Sequence, residues 1–143
     1  MSRSGYTDDC DDQWRHIMWR GAVKSAMRGK RGQEFLRELL ATLDAMPEKR
    51  LLAVTINTTE GCCAIGSVTK ARGIDTSDLE ILDPDDDYGD SARALAKRIG
   101  IAESMAQEIV YMNDEGAWGA ETPEQRWTRM REWVAKKIKQ ATP

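Results

Sequence analysis

Four residues carry the side chains best suited to reactive chemistry: one histidine, His16, and three cysteines, Cys10, Cys62 and Cys63. A thiol beside an imidazole can act as a nucleophile, and thiolates together with an imidazole can hold zinc. Structural zinc sites usually take their ligands from short paired spacings, which this chain lacks, and adjacent cysteines rarely form a disulfide without strain. We therefore predict free thiols in a reducing cytoplasm, no metal, no cofactor and no enzymatic activity. An enzyme that uses Cys62 or Cys63 as its nucleophile is an alternative.

Basic residues cluster between two helical patterns, in a segment that we call the basic tip: Arg28, Lys30, Arg31 and Arg37. The turn and the start of the next helix would expose backbone N–H groups beside these cations, which favours contact with an anion or a phosphate backbone. A solvated tip without a binding role is the alternative. No aromatic residue lies within the tip, so a platform for stacking bases is not indicated. A second basic stretch runs from Arg126 to Lys139.

Acidic residues form an acidic loop that contains Asp83, Asp85, Asp86, Asp87 and Asp90. The loop resembles a calcium-binding EF-hand loop at first sight, but Tyr88 stands where that loop needs glycine and Ala94 where it needs glutamate. We therefore predict a solvated surface loop. Its alternative function is to imitate phosphate charge toward a partner that normally binds nucleic acid. The net charge of the chain is −3, so the molecule as a whole has no general attraction to nucleic acid or to an anionic membrane.

Trp118 lies between Gly116 and Gly119 in a polar loop. A tryptophan in this setting is either a lid over the core or an exposed anchor for a partner. The core lid is the favoured interpretation, and the exposed alternative would make Trp118 an interface hot spot.

Residues 94–110 resemble a helix-turn-helix, with Gly100 four positions after Ala96 at the turn. The second helix of such a motif reads DNA with its early residues, here Glu103, Ser104, Gln107 and Glu108. Two of these are acidic and the segment before them is strongly acidic, so phosphate repulsion opposes docking. A nucleic-acid-binding regulator that uses this corner is therefore the alternative function.

Hydrophobic spacing predicts an α+β fold of about five helices packed on a short antiparallel β-hairpin, in a single domain of residues 1–143 whose first ten residues are loose. The most strongly patterned helix is predicted at 33–45, with Leu36, Leu39, Leu40 and Leu43 on one face. The other predicted elements are a helix that ends at Arg28 with Gly29 as its left-handed cap, strands at 51–56 and 62–65, a helix at 67–72 that stops at Gly73, helices at 91–99 and 103–112, and a last helix that starts at Thr122-Pro123. No apolar run approaches the roughly 20 residues that a membrane span needs.

Two parts of the chain carry a family resemblance: Trp19-Arg20-Gly21-Ala22-Val23 with Arg28 through Arg37, and Tyr111-Met112-Asn113-Asp114-Glu115 with Glu121 through Trp127. They resemble small uncharacterised proteins encoded by tailed bacteriophages and prophages of proteobacteria. The likeness spans about residues 14–138 and is lost between Ala53 and Thr59. It implies a phage accessory protein in the cytoplasm of a bacterial host. By analogy, such a protein binds a host protein or protein complex, and antagonism of bacterial defence in the manner of an anti-CRISPR protein is one such function. It transfers no catalytic residue and leaves the oligomeric state open.

Overall fold

The computed structural model describes residues 13–79 and 88–139, with side chains for 17–79 and 91–139. Within these ranges the chain forms six helices and a two-stranded sheet: α1 (Gln13–Arg28), α2 (Lys30–Ala45), β1 (Asn57–Thr58), β2 (Gly61–Cys62), α3 (Ala64–Arg72), α4 (Tyr88–Ile99), α5 (Glu103–Glu115) and α6 (Pro123–Lys137). One turn of 3-10 helix, Ser77–Leu79, follows α3. The predicted class, mostly helical α+β with a small antiparallel hairpin, is confirmed.

Helix α5 is the centre of the core, because α1, α3, α4 and α6 all pack against it. Its inward side chains are buried: Met105, Ala106, Ile109 and Val110. Helix α2 lies against α1, α3 and α6, and its predicted apolar face is confirmed as buried: Leu36, Leu39, Leu43 and, in part, Leu40. Full burial of one leucine side chain stabilises a fold by roughly 1.5–3 kcal/mol. The faces of α2 and α5 therefore hold the other helices in place.

The β-hairpin is shorter than predicted, and its first strand lies later in the chain. Its two strands pair antiparallel, with Asn57 opposite Cys62 and Thr58 opposite Gly61. The predicted strand at 51–56 is wrong, since that segment is irregular. Its backbone is nevertheless tied to β2, because the Leu52 N–H donates to the Cys62 carbonyl at 2.8 Å.

The predicted strand at 62–65 is also wrong beyond Cys62, because helix α3 begins at Ala64. The Cys63 sulfur caps this helix by accepting the Gly66 N–H at 3.4 Å. Gly66 lies so close to the hairpin that a Cβ there would be 2.1 Å from the Ile56 carbonyl oxygen. All residues from 62 to 69 are buried. A run buried on every side has no helical periodicity, which is why it suggested a strand.

The corner between α1 and α2 is tighter than predicted. Gly29 is not a left-handed cap: its φ is −67° and ψ 163°, and α2 begins at the next residue rather than at Gln33. The glycine that the corner needs is Gly32, where a Cβ would lie 1.9 Å from the Ala26 carbonyl oxygen. The predicted stop of α3 is confirmed, since Gly73 adopts the left-handed conformation with φ 73°.

The predicted start of α6 is confirmed as a capping box. The Thr122 hydroxyl accepts the Gln125 N–H at 3.1 Å, and the Gln125 side chain accepts the Thr122 N–H at 2.9 Å.

Helix α5 extends to Glu115, beyond its predicted end, and its last turn carries the buried Asn113. That amide accepts the Ala64 N–H at 3.0 Å and donates to the Leu52 carbonyl at 2.9 Å, which fixes α5 against the start of α3. In the described ranges, no helix combines the length and hydrophobicity that a bilayer crossing requires.

Candidate anion-binding site

The two basic stretches of the sequence meet in the structure. Helices α1 and α6 both pack on α2, so the end of α6 comes to lie beside α1. Between them is a cleft of about 320 Å³. We call it the basic cleft, because six cationic side chains line it around Trp133: Arg20, Lys24, Arg28, Lys136, Lys137 and Lys139.

The Gln33 side chain holds the cleft together. Its amide nitrogen donates to the Met27 carbonyl at 2.7 Å and to the Lys137 carbonyl at 3.0 Å, and its amide oxygen accepts the Lys139 N–H at 2.8 Å. One buried amide thus satisfies the last turn of α1 and the last turn of α6 together. The Lys139 ammonium adds a second tie by donating to the Arg28 carbonyl at 2.9 Å.

The charge in the cleft is largely uncompensated within the described chain. Glu108 is the one carboxylate among the lining residues, and it pairs with Arg20 at 2.9 Å. The other five lining cations form no ion pair with any residue in the described ranges. All five are exposed. Converging cations of this kind create a positive potential that attracts anions.

Trp133 gives the cleft a partly exposed aromatic surface. The Lys137 ammonium lies 6.0 Å from its ring centroid, at the outer limit of a cation–π contact. Trp133 is not among the predicted site residues, because a base-stacking aromatic residue was expected only within the basic tip. The available signal was the spacing of Trp133 with Lys136 and Lys137, three and four residues later on the same helix face.

The basic tip divides between the cleft and its border. Arg28 lines the cleft. Arg37 lies at its edge, with a guanidinium nitrogen 3.5 Å from the Lys139 carbonyl oxygen. Lys30 and Arg31 are exposed on the first turn of α2 and do not line the cleft. The predicted cluster is thus one side of a larger basic surface whose other side is α6.

Asp78 precedes the acidic loop in the sequence, and one arginine neutralises it. Arg98 forms a two-bond ion pair with Asp78 at 2.6 and 2.8 Å, and the hydrogen bonds of this pair lower the pKa of the Asp78 carboxyl. The predicted acidic contact residues Asp83, Asp85, Asp86 and Asp87 lie outside the described residues. Asp90 lies within the first turn of α4, where only its backbone is described. The acidic loop as a contact surface stays a prediction.

The helix-turn-helix corner has its second helix inside the fold. Gln107 of α5 accepts the indole N–H of Trp19 at 3.3 Å, and Glu108 is paired with Arg20, so α1 covers both of these predicted base-reading side chains. Glu103 is engaged by Arg93 at 3.2 Å. An α-helix that enters a DNA groove must present a free face. Glu108 is buried, whereas Glu103, Ser104 and Gln107 are half-buried, so the corner presents only a restricted surface at these positions. The DNA-reading role of the corner stays a prediction.

Trp118 is fully exposed, so the predicted core lid is wrong. Its loop is braced by Arg129, which donates to the carbonyls of Met112 and Asn113 and pairs with Glu121 at 2.7 Å. The hydrogen bonds from Arg129 lower the pKa of the Glu121 carboxyl. The side chain is thus accessible, and its role as an anchor for a partner stays a prediction.

The two cysteines that the structure describes are buried free thiols, Cys62 and Cys63. Burial, with a smaller contribution from the neighbouring thiol, raises the pKa of the Cys62 thiol to about 11. A thiolate is the nucleophilic form of cysteine, and it is scarce at neutral pH when the pKa is this high. Cys10 and the His16 side chain lie outside the described residues. Within the described ranges, no three metal-binding side chains come together.

Comparison with known proteins gives no relative for this chain. No protein-family model matches it, and no curated protein and no solved structure shows significant similarity to it.

Proposed function

We propose that this chain is a non-catalytic binding protein whose basic cleft contacts a macromolecular partner that carries negative charge. The observation that supports this proposal is the convergence of five cations without an ion-pair partner in the described chain, from two stretches more than 100 residues apart. Like charges at close range repel, so a cluster of this kind destabilises the free fold. A bound anion relieves that repulsion.

The cysteine chemistry supports binding over catalysis. Cys62 and Cys63 are buried between the hairpin and α3, and the high pKa of the Cys62 thiol keeps it protonated at neutral pH. A poised nucleophile needs a lowered pKa or an adjacent base.

The resemblance to phage and prophage proteins suggests where the partner would be found. We propose a host macromolecule in a bacterial cell, with a component of a defence complex as one such target. The exposed Trp118 is a second contact point for a protein partner, because tryptophan is enriched among interface hot spots.

Capture from bacterial lysate tests the proposal. The tagged full chain is compared with two double variants: a cleft variant, Lys24→Gln with Lys136→Gln, and a control variant, Lys70→Gln with Lys97→Gln. All four lysines are exposed, and the control pair lies outside the basic cleft. We expect the parent and the control variant to retain the same material, released by salt, and the cleft variant to lose it. Equal capture by all three proteins would reject the cleft as the contact surface.

A further inference from the structure

We propose that the basic cleft binds a single-stranded nucleic acid, with phosphates on the lining cations and one base stacked on Trp133. This inference rests on the proposed function and names its partner. Proteins that bind single strands without sequence preference combine a positively charged groove with an aromatic side chain for base stacking. The basic cleft has both features, on α1 and α6.

The composition of the cleft favours a phosphate polymer over an acidic protein. Protein–protein interfaces have an apolar centre that is depleted in charged residues. Here the apolar lining residues Val23 and Met27 are buried, so they offer a partner little surface. The exposed lining is cationic, apart from parts of Trp133 and Ile138. A partner that fits this surface carries closely spaced negative charges and a flat face for the indole.

The size of the cleft favours a single strand over a duplex. Its volume of about 320 Å³ lies at the low end of the roughly 300–1,000 Å³ range of small-molecule sites. A space of this size suits one or two unstacked nucleotide units. In a duplex the bases stack on one another, so no base face is free for Trp133.

The basic surface continues past the cleft, which gives a strand a path. Arg37 lies at the edge of the cleft beside the Lys139 carbonyl, and Lys30 and Arg31 are exposed on the first turn of α2. A strand seated on Trp133 can therefore meet further cations toward α2. Arg20 remains engaged by Glu108, so we assign it no phosphate.

The test is fluorescence anisotropy with a labelled oligothymidylate of about 12 nucleotides. For single strands, affinity falls with salt by a slope of about −0.7 per neutralised phosphate. If about four phosphates are contacted, the affinity of the parent falls about 50-fold between about 50 mM and about 200 mM salt. The cleft variant, Lys24→Gln with Lys136→Gln, should contact about two phosphates, so its affinity should fall only about 7-fold over the same range of salt concentration. The control variant, Lys70→Gln with Lys97→Gln, should match the parent.

Stacking is tested at Trp133 with two substitutions. Trp133→Leu should weaken binding by at least about 5-fold, because base–aromatic stacking contributes roughly 1–3 kcal/mol per base. Trp133→Phe should restore most of the affinity, since it keeps a ring for the base. Thermal unfolding of both variants shows whether the fold is retained.

Several outcomes would overturn the inference. If the oligonucleotide does not bind at low salt while the cleft variant still loses its lysate partner, then the inference fails and the proposed function stands, with a partner of another chemical class. If the oligonucleotide binds the cleft variant as well as the parent, the binding site lies elsewhere. If a duplex or polyglutamate competes as well as the single strand, or if Trp133→Leu has no effect, then no base stacks in the cleft.

Discussion

Gln33→Glu tests how the basic cleft is held, because it alters hydrogen bonding and hardly alters shape. The Gln33 amide nitrogen donates to the carbonyls of Met27 and Lys137, and its oxygen accepts the Lys139 N–H. A carboxylate accepts hydrogen bonds but cannot donate them. The substitution therefore keeps the bond from Lys139 and sets an anionic oxygen against two carbonyl oxygens.

The magnitude follows from the two carbonyls that lose their donor. A buried polar group without a partner costs about 1–3 kcal/mol. The Met27 bond is buried and the Lys137 bond is part-buried, so we expect a loss of about 2–4 kcal/mol. A typical domain has a free energy of unfolding of about 5–15 kcal/mol, so the variant should still fold. At about 3 °C per kcal/mol for a chain of this size, Tm should fall by about 6–12 °C.

Urea unfolding monitored by circular dichroism measures this loss, and Gln125→Glu is the matched control. The Gln125 side chain uses its oxygen, which accepts the Thr122 N–H in the capping box. A carboxylate serves equally well there, and near a helix N-terminus it adds about 0.3–1 kcal/mol of stability. The same chemical change should therefore destabilise at position 33 and stabilise at 125. If the free energy of unfolding of Gln33→Glu lies within about 0.5 kcal/mol of the parent's, then the Gln33 amide nitrogen is not the donor to the carbonyls of Met27 and Lys137.

Four further substitutions or measurements probe other parts of the molecule. Gly32→Ala adds a methyl group 1.9 Å from a backbone carbonyl oxygen of α1, so thermal unfolding should show a loss of at least about 3 kcal/mol. Trp118→Ala should change the free energy of unfolding by less than about 0.5 kcal/mol, since the side chain is fully exposed, and a larger loss would show that it packs on the core. The hydrogen bonds from Arg129 hold the pKa of Glu121 below its ordinary 4.5, so this ion pair stabilises the fold above that pH and ceases to do so as the pH falls through the lowered value. In urea unfolding, the free energy of unfolding of Glu121→Gln should therefore differ most from that of the parent at about neutral pH and least in acid. A thiol reagent at neutral pH should label Cys62 only after denaturation, because burial raises the pKa of this thiol to about 11, and rapid labelling of the native protein would favour the enzyme alternative.

Helix α2 and the start of α6 could be predicted because both depend on neighbours in the sequence. The α2 leucines recur at helical spacing, and Thr122 and Gln125 cap α6 with their own side chains. The choice between Gly29 and Gly32 could not be made in this way. It depends on where the backbone of α1 lies, which is a contact between helices.

Only one side of the candidate site could be predicted from the sequence. Arg28 was identified from the charge of its own segment. Trp133 and Lys136 join it because α6 packs on α2 beside α1, where the Gln33 side chain bonds to the end of α6 across more than 100 residues. Local spacing carries no information on such a convergence. The exposure of Trp118 likewise depends on where its loop lies relative to the core, and not on the residues beside it in the sequence.

Arginine and lysine take different electrostatic parts in the described chain. Every ion pair there uses an arginine, for instance Arg72 with Glu38 at 2.5 Å, whereas Lys24 and Lys136 form none. Carboxylates are not scarce, because the chain has 24 acidic residues against 21 basic ones. The cleft is therefore positive through the placement of charges and not through composition. The net charge of −3 therefore gives no indication of the positive basic cleft. A partner within a Debye length of the cleft, about 8–10 Å at moderate salt, responds to the local cluster of cations and not to the net charge of the chain.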